Sequence, residues 1–482
     1  MHQPPPDSLA KLRADARAAW EAGLRAVSPE DCVRRALASR PDLQPLSADT
    51  LVVAVGKAAA GMLRGAIPRH AQPARMAATG ARTIVLLPAG SQAGDLPVST
   101  LVLRGGHPHP TPDGIQATER ILAEVDRLGR GQRLLVLLSG GASALLEAPA
   151  PGLSCTELTL AHRALVASGL AIRSINLVRG CLSAVKGGRL SRRAHPAVTT
   201  TLAISDVEGD DAAVIGGGPT VPSRRSHAAT CGEALDLVRA AGIELPAAAL
   251  RVLEEGASAQ GPDDGAATAG HATGSATRPA AGEPAIDYTV IASIADAVAG
   301  ARAELERRGY HVVAGTGVAG AYLRGETRDA AGLIVRTLAG QGAHRRDGEA
   351  GRHGRDGEPG HVVADSPIAA VFGGETTVAV TTATPGRGGR NLDMAARVAL
   401  AIRGCDGVAV LAAGTDGCDG SSRAAGAVVD GGTATRAESG GRALEAALAA
   451  FDSEAALEAA GDLFVTGPTG TNVGDLVVAV AR

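Results

Sequence analysis

Two lysines lie in glycine-flanked segments that are typical of ligand-binding loops. They are Lys57 in Val55-Gly56-Lys57-Ala58 and Lys186 in Val185-Lys186-Gly187-Gly188. Lys11 is the third lysine, and the remaining members of the 47 basic residues are arginines. Because the chain uses arginine almost everywhere, a retained lysine indicates a need for a compact ammonium group instead of a planar guanidinium. Chance survival is the competing explanation, and it suits Lys11 in its charged helix. We expect Lys57 and Lys186 to bind an anion.

A second candidate loop follows an apolar strand. Residues 134–138 lead into Ser139-Gly140-Gly141-Ala142-Ser143. In open α/β sheets, ligands bind at the carboxyl ends of strands. Consecutive backbone amides before a helix can also cradle an anion. We therefore expect Ser139, Gly140, Gly141 and Ser143 to hold a phosphate or a carboxylate, with an ordinary strand-to-helix turn as the alternative.

Residues 175–190 predict a helix that carries two cations. Arg179 and Lys186 are seven residues apart, which is about two helical turns, so the pattern places both on one face. Gly187-Gly188 would end this helix. No acid lies in the stretch, and this favours an anion site over a solvated basic face.

An acidic loop follows the predicted strand 200–204. It is Ser205-Asp206-Val207-Glu208-Gly209-Asp210-Asp211. Carboxylates this close repel one another unless they are solvated or bind a cation, and Mg²⁺ takes oxygen ligands of this kind. We expect Asp206 and Asp210 to be metal ligands, with an acidic surface turn as the alternative.

Polar side chains recur in the glycine-rich loops of the C-terminal part. Any one of these loops could be simple turn chemistry. Several loops that combine hydroxyls, charges and glycines, most of them after strands, favour a binding site instead. The candidate residues are Glu375, Arg390, Asn391, Thr415, Asp416, Thr469 and Asn472.

The elements that must position these loops alternate between strand and helix. Residues 8–38 predict one or two amphipathic helices, with Ser28 as the cap of the second and Pro29 at its first position. Nearly continuous apolar strands are typical of a parallel sheet buried on both faces, and their alternation with helices predicts the α/β class. The clearest predicted strands are 51–55, 83–87, 101–103, 134–138, 200–204, 288–292, 311–313, 369–372, 377–381 and 408–411.

Two stretches, 256–285 and 340–361, are glycine-rich without periodicity and are interpreted as insertions. Residues 315–320 match the pattern GxGxxG. A dinucleotide-binding fold would need an acid about 20 residues later, at the end of a second strand, and neither is present there. The match is therefore weak evidence for a nicotinamide cofactor.

Composition excludes several classes of function. The net charge of -3 gives no support for nucleic-acid or membrane partners. No apolar run reaches the roughly 18 residues of a membrane span. The six cysteines are scattered without a CxxC pair, and the N-terminus shows no signal-peptide core. We expect a cytoplasmic protein. Aromatic residues make up only 1%, so the cores must be built from Ala, Val and Leu.

In this order, the loops resemble those of class II glycerate 2-kinases, and the C-terminal part resembles the MOFRL domain of that family. The resemblance covers nearly the whole chain apart from the two insertions. The motifs that carry it are Gly56-Lys57-Ala58-Ala59, SGGASALL (139–146), INLVRGCLSAVKGGRL (175–190), ISDVEGDD (204–211), GGGPTVPS (216–223), FGGETTV (372–378), GRGGRN (386–391), AGTDGCDGSSRAAGAVVD (413–430) and TGPTGTNVGDL (466–476).

The resemblance implies an ATP- and Mg²⁺-dependent kinase that converts D-glycerate to 2-phosphoglycerate. It implies a two-domain α/β fold: a Rossmann-like, three-layer N-terminal domain and a smaller MOFRL-type domain, with the active site in the interdomain cleft. The family's active-site lysine, arginine and acid correspond to Lys57, Arg390 and Asp416. The expected domains are 1–255 and 362–482, joined by the insertion 256–285, a connecting α/β segment 286–339 and a linker 340–361.

Small-molecule substrates are the expected partners, and a homodimer is left open. Two other functions remain. One is an NAD(P)H-dependent hydroxypyruvate reductase, indicated by the GxGxxG match and by names given to some family members. The other is a sugar-acid-binding protein without activity.

Overall fold

The computed structural model describes residues 6–44, 46–67, 81–170, 172–223, 225–259, 286–313, 321–343, 367–382 and 384–482. The GxGxxG match at 315–320 and most of both predicted insertions lie outside these residues. The chain divides into two compact units. We call Pro29–Ala292 the parallel-sheet unit, and Met1–Ser28 with Ser293–Arg482 the mixed-sheet unit. This division differs from the expected domain limits, because the first helix joins the C-terminal residues and residues 286–292 join the middle of the chain.

The strands in chain order are β1 (Thr50–Val55), β2 (Arg82–Pro88), β3 (Leu101–Gly105), β4 (Arg133–Leu138), β5 (Val198–Ile204), β6 (Ile286–Ala292), β7 (His311–Val312), β8 (Ala321–Leu323), β9 (Ile368–Gly374), β10 (Val408–Gly414), β11 (Gly426–Asp430), β12 (Leu463–Phe464) and β13 (Asp475–Ala481).

The helices in chain order are α1 (Pro6–Ala26), α2 (Pro29–Ala38), α3 (Ala59–Ala66), α4 (Pro112–Val125), α5 (Ala142–Leu145), α6 (Cys155–Ala167), α7 (Ile172–Cys181), α8 (Arg189–Ala194), α9 (His227–Ala240), α10 (Ala247–Ser258), α11 (Ile294–Arg307), α12 (Thr327–Ala343), α13 (Arg390–Ala401), α14 (Thr433–Ser439), α15 (Leu444–Ala449) and α16 (Ser453–Ala459).

The sheet of the parallel-sheet unit has the strand order β3-β2-β1-β4-β5-β6, and every pairing is parallel. All residues of β1 are buried, so both faces of the sheet are covered, as the continuous apolar pattern predicts. In register, Val55 pairs with Leu138, and Leu138 pairs with Ala203. The loops after β1, β4 and β5 therefore start side by side at one edge.

The sheet of the mixed-sheet unit has the order β12-β11-β10-β13-β9-β7, with β8 also paired to β9. Its central pairings, β10 with β11, β10 with β13 and β13 with β9, are antiparallel. The α/β class is confirmed for the whole chain, but the expectation of parallel strands is wrong here. Asp475, the first residue of β13, pairs with Gly414 on one side and with Gly374 on the other. The start of β13 thus lies between the carboxyl ends of β9 and β10.

Ion pairs and hydrogen bonds hold α1 against the C-terminal part of the mixed-sheet unit. Arg13 forms ion pairs with Asp430 and Asp462. The buried Asp15 accepts hydrogen bonds from Tyr310 (2.7 Å) and Arg308 (2.6 Å). The predicted pair of N-terminal helices is confirmed, and Pro29 begins the second of them.

Two predicted elements are wrong. Residues 377–381 form no strand; they are mostly exposed, and Thr377 makes only an isolated bridge to Glu326. The predicted helix 175–190 ends at Cys181, and a loop separates it from α8. Gly188 caps the start of α8 in a left-handed conformation instead of ending a long helix.

Candidate functional site

In the parallel-sheet unit, close packing joins the Lys57 loop to the Ser139 loop. The Lys57 amide donates to the Gly140 carbonyl at 2.9 Å. Gly56 has a φ of +118°, and a Cβ there would lie 2.3 Å from Ser139 Oγ. Only glycine fits this position without strain. The backbone around Lys57 is therefore held against the next loop along the sheet edge.

Ser139 serves as a connector between these loops. Its buried hydroxyl accepts from the Ala58 amide and donates to the Val55 carbonyl, both at 3.1 Å. Helix α5, which follows, has only four residues. An anion at this loop would accordingly depend on local amides and on Lys57 more than on a helix dipole.

His107 is a neighbour of Lys57 that the sequence analysis did not select. A Cβ on Gly141 would lie 3.0 Å from His107 Cδ2 and 3.6 Å from Lys57 Cγ. The His107 ring and the Lys57 stem therefore flank the same glycine. The only sequence signal was the repeated His-Pro in His107-Pro108-His109-Pro110, which does not show where the first ring lies.

Lys186 does not share a helix face with Arg179, because it lies in the loop between α7 and α8. Its side chain is buried; the ammonium pairs with Glu147 and donates to the Ser143 carbonyl at 2.9 Å. Glu147 is fully buried. The acid that neutralises Lys186 comes from a distant part of the sequence, and the pair ties Lys186 to the end of the Ser139 loop.

Other polar atoms surround this ion pair. His162 Nε2 lies 3.7 Å from Glu147 Oε2. Burial, followed by the charges of Arg179 and Lys186, lowers the pKa of His162 to about 2, so the ring is neutral. Among the described residues, no hydrogen-bond partner is found for Ser143 Oγ, Arg179 Nε or either His162 ring nitrogen. Buried polar groups of this kind are suited to hold ordered water.

The acidic loop after β5 contains both predicted metal ligands. Asp206 and Asp210 are half-buried, and Asp210 has a φ of +53°. Burial, followed by the charges of Asp211 and Asp210, raises the pKa of the Tyr288 hydroxyl. Within the described ranges, no group of three or more His, Cys, Asp or Glu is arranged to hold a metal ion. Metal binding by Asp206 and Asp210 stays a prediction.

In the mixed-sheet unit, Arg390 is held by two carboxylates. Its Nε and Nη2 donate to Asp475 at 2.5 and 3.1 Å, and its Nη1 donates to Glu375 at 2.7 Å. Burial would lower the pKa of Arg390, but the facing Asp475 outweighs that effect and raises it. Asp475 is 3% exposed. The guanidinium is therefore charged and oriented before any ligand arrives.

Asp419 holds the first turn of α13. One of its oxygens accepts from the backbone and side-chain amides of Asn391 (3.0 and 3.2 Å), and the other accepts from the Leu392 amide (2.8 Å). Asn391 also donates to Asp475 at 2.9 Å. Burial raises the pKa of Asp419 to about 6 despite these amide hydrogen bonds. Asp419 and Asp475 together fix the position at which Arg390 begins its helix.

The remaining predicted residues connect the loops after β10 and before β13. Thr415 is buried; its hydroxyl donates to the Gly474 carbonyl at 2.6 Å. Thr469 donates from its hydroxyl to the Thr415 carbonyl at 2.5 Å, and its amide donates to the Asp416 carbonyl at 3.2 Å. Asn472 accepts from the Gly474 amide at 3.4 Å. Thr415 and Thr469 therefore shape the loop that presents Asp416.

Asp475 contacts both Arg390 and Asn391, and Arg390 in turn contacts Glu375. Neither Asp475 nor Asp419 was predicted from the sequence. Both acids lie inside motifs quoted above. An acid directly before the apolar run 476–481 was the available signal for Asp475. In the part of the chain that the structure covers, no helix is long and apolar enough to span a membrane.

The protein has one parallel sheet and one mixed sheet, each packed with helices and each carrying charged loops at strand ends. This arrangement is typical of two-domain α/β enzymes that act on anionic ligands. The chain matches a family model described as "Domain of unknown function (DUF4147)" over residues 15–254 and the MOFRL family over residues 368–475. Over 480 residues it is 32% identical to the D-glycerate 2-kinase of Thermotoga maritima, covering 98% of each chain.

A solved structure and a second relative extend the comparison. The crystal structure of glycerate kinase from Thermotoga maritima superposes with a TM-score of 0.77 at 30% identity, covering 98% of this chain and 100% of that one. A putative hydroxypyruvate reductase of Agrobacterium vitis is 35% identical over 375 residues, covering 78% of this chain and 76% of that protein. The chain belongs to the glycerate 2-kinase family with a C-terminal MOFRL domain.

Proposed function

We propose that this protein transfers the γ-phosphoryl group of ATP to the 2-hydroxyl of D-glycerate, giving 2-phosphoglycerate and ADP. The observation that carries the proposal is the match to a D-glycerate 2-kinase along 98% of both chains. Lys57 and Asp416 lie in the loops that follow β1 and β10, and Arg390 is the first residue of α13; these are the positions that correspond to the family's active-site residues. The six cysteines are free, which is consistent with a proposed cytoplasmic location.

Phosphoryl transfer requires positioning and charge neutralisation more than covalent chemistry. Glycerate brings a carboxylate, and ATP brings phosphates. We assign Lys57 and Arg390 to neutralise the carboxylate or the transferring phosphoryl group. Three of the five donors of Arg390 are engaged by Asp475 and Glu375, and a planar guanidinium can use the others for an oxyanion. Asp416 is assigned to orient the reacting hydroxyl or to contact the metal ion.

The residues that hold the loops in place receive supporting roles. Ser139, Lys186, Thr415 and Thr469 are engaged with other loops, so we assign them to position the site. The amides of Gly140 and Gly141 are the candidates for direct contact with phosphate. Ser143, Arg179, Glu375, Asn391 and Asn472 remain predicted binding residues.

Magnesium is the proposed metal ion, held by Asp206 and Asp210. Their carboxylate oxygens are hard ligands, and Mg²⁺ is commonly bound by one or two carboxylates together with substrate phosphates. Two half-buried carboxylates on one strand-end loop fit this requirement. The bound ion would supply neutralisation of phosphate charge, while the protein's own residues orient the glycerate.

The test is a product assay on the purified chain with D-glycerate, ATP and Mg²⁺. Coupling to enolase without a phosphoglycerate mutase detects 2-phosphoglycerate and not the 3-phospho isomer. We expect ADP and 2-phosphoglycerate to appear in equal amounts. Formation of 3-phosphoglycerate alone would refute the proposed regiochemistry, and absence of ADP would refute the kinase.

A hydroxypyruvate reductase is the second candidate, favoured by the name of the Agrobacterium vitis relative and by the GxGxxG match at residues 315–320. Oxidation of NADH or NADPH on addition of hydroxypyruvate would support it. We expect no such oxidation, because the sequence after the GxGxxG match lacks the strand and the acid that a dinucleotide-binding fold requires.

A further inference from the structure

A group of polar side chains lies in the parallel-sheet unit, where the loop after β4 ends. Ser143 belongs to α5, directly after that loop, and its carbonyl accepts a hydrogen bond from Lys186 at 2.9 Å. Lys186 also pairs with Glu147, and His162 Nε2 lies 3.7 Å from the same carboxylate. Glu147, His162 and Lys186 are at most 2% exposed. Together with the half-buried Arg179, we call these five residues the Glu147 cluster.

Helix packing turns Arg179 and His162 into one interior. Leu158 lies four residues before His162 on α6, and Ile175 lies four residues before Arg179 on α7, so the two members of each pair share a helix face. Leu158 and Ile175 belong to the same buried apolar core. Electrostatics link the polar members as well. Burial lowers the pKa of Arg179 and the charge of Glu147 opposes that shift, and burial, followed by the charge of Arg179, lowers the pKa of His162.

Several polar atoms of the Glu147 cluster have no protein partner. Among the described residues, no hydrogen-bond partner is found for Ser143 Oγ, Arg179 Nε or either ring nitrogen of His162. In the same part of the chain, no hydrogen bond or ion pair engages the Arg179 guanidinium. Buried polar groups without partners are costly. The cluster is therefore completed by something other than protein, which is either ordered water or a ligand.

The charge of the Glu147 cluster favours an anion over water. Glu147 neutralises Lys186. The His162 ring is neutral because its pKa is about 2, and the guanidinium of Arg179 stays protonated. Two cations and one carboxylate leave one positive charge without a counterion. Water can accept hydrogen bonds from Arg179 but cannot cancel its charge. A singly charged carboxylate would cancel it, whereas a doubly charged phosphate would leave an excess of negative charge.

We infer that the Glu147 cluster binds the carboxylate of glycerate, with Arg179 as the pairing cation and the Ser143 hydroxyl as a second donor. A guanidinium can hold a carboxylate through two parallel hydrogen bonds. Arg179 and Ser143 are half-buried, so a small ligand can reach them. The neutral His162 ring can donate one hydrogen bond and accept another, which suits a hydroxyl of glycerate. The inference rests on the proposed function, and it leaves Lys57 and Arg390 for the transferring phosphoryl group.

The test is the binding of D-glycerate to the purified chain, measured by isothermal titration with and without ADP. Glycerol, which has the hydroxyls but no carboxylate, is the comparison ligand and should bind far more weakly. Arg179→Met should bind D-glycerate about tenfold or more weakly than the wild type, because a charge-assisted pair is lost, and its KM for glycerate should rise by a similar factor. Its affinity for ADP should not change.

Thermal unfolding separates this binding role from a structural one. Because the Arg179 guanidinium has no protein partner to leave behind, the thermal midpoint of ligand-free Arg179→Met should not fall. Ser143→Ala removes a hydroxyl that also lacks a partner among the described residues. It should weaken the binding of D-glycerate without lowering the thermal midpoint, and it provides a second variant that does not disturb a charge.

Arg133→Met is the matched control. Arg133 is half-buried in the same unit, and no described residue is a hydrogen-bond partner of its Nε. It begins β4, at the opposite end of the strand from the Ser139 loop. This variant should bind D-glycerate as the wild type does.

Four results would overturn the inference: undetectable binding of D-glycerate by the wild type, equal affinity of the wild type for glycerol and D-glycerate, wild-type affinity for D-glycerate in Arg179→Met, or a loss in Arg179→Met that is confined to ADP. The last result would assign Arg179 to a nucleotide phosphate. The titrations require no turnover. A failed kinase assay would therefore count against the proposed function alone, and the comparison of variants would still decide where the carboxylate binds.

Discussion

Replacing Asp475 with asparagine tests whether Arg390 must be oriented in advance. The carboxylate accepts two hydrogen bonds from the guanidinium and one from Asn391. Asparagine keeps one acceptor oxygen but turns an amide NH₂ toward the cation. Losing one charge-assisted hydrogen bond costs about 1.5–3 kcal/mol. If that loss falls on the transition state, kcat/KM for glycerate should drop by about 10- to 150-fold.

The matched control is Asp462→Asn. Asp462 is also buried and pairs with arginines in the same unit, Arg13 and Arg436, but it takes no part in the candidate site. It should lower thermal stability about as much as Asp475→Asn while leaving kcat/KM near the wild-type value. A double-mutant cycle with Arg390→Lys should show coupling, because both changes act on one contact. Unchanged kcat/KM in Asp475→Asn, or strictly additive effects in the cycle, would refute the positioning role.

The other predictions concern one residue each. Lys57→Arg should reduce turnover because it replaces a compact ammonium with a wider guanidinium, and Lys57→Met should reduce it further, toward the roughly 10³–10⁵-fold seen when a transition-state cation is lost; steady-state kinetics of Lys57→Arg with near-normal kcat would show that no lysine is needed. Lys186→Met leaves Glu147 buried without its partner and should cost about 3–5 kcal/mol of stability, whereas Lys186/Glu147→Met/Gln should recover part of it; thermal unfolding of the two variants with equal midpoints would contradict the pairing. Asp419 has a folded-state pKa of about 6, above its ordinary value of 3.8, so its contribution to stability falls as pH rises through that window. The thermal midpoint of the wild type should therefore decline relative to Asp419→Asn between pH 4 and 6, and parallel curves would contradict the raised pKa.

The parallel-sheet unit could be predicted well because its signal is local. Its central strands β1 and β4 are nearly continuous apolar runs, and each is followed by glycine and polar residues, so both the strands and the loops at their carboxyl ends follow from the pattern. The strands predicted in that unit all appear, with ends that differ by a few residues.

The mixed-sheet unit shows where local signals fail. Residues 377–381 are rich in Thr and Val, which favour strands, yet they find no neighbouring strand, and Val380 is 53% exposed. Strand propensity expresses a fit to a packed sheet surface more than an intrinsic preference. The strands β11 and β13 were not among the predicted ones, and with them the antiparallel pairing was missed. Asp475 was not predicted because its pairing with Arg390 depends on which strand ends lie beside it, and that follows only from the antiparallel pairing.

Lys186 shows why the type of a residue predicts a loop better than it predicts a role. Its scarcity pointed to a segment that does lie beside the Ser139 loop, but the physical reason for lysine is packing. A Cβ on Gly217 would lie 2.7–2.9 Å from Cγ, Cδ and Cε of Lys186, so the aliphatic stem fills the space against that glycine. A guanidinium is wider and carries five donors, whereas the buried ammonium of Lys186 donates to the Ser143 carbonyl and to Glu147. An ammonium can be satisfied there with fewer partners than an arginine would need. The same argument does not extend to Lys57, whose half-buried stem lies beside an exposed His107; there we expect the demand for lysine to come from a bound ligand, which the Lys57→Arg variant tests.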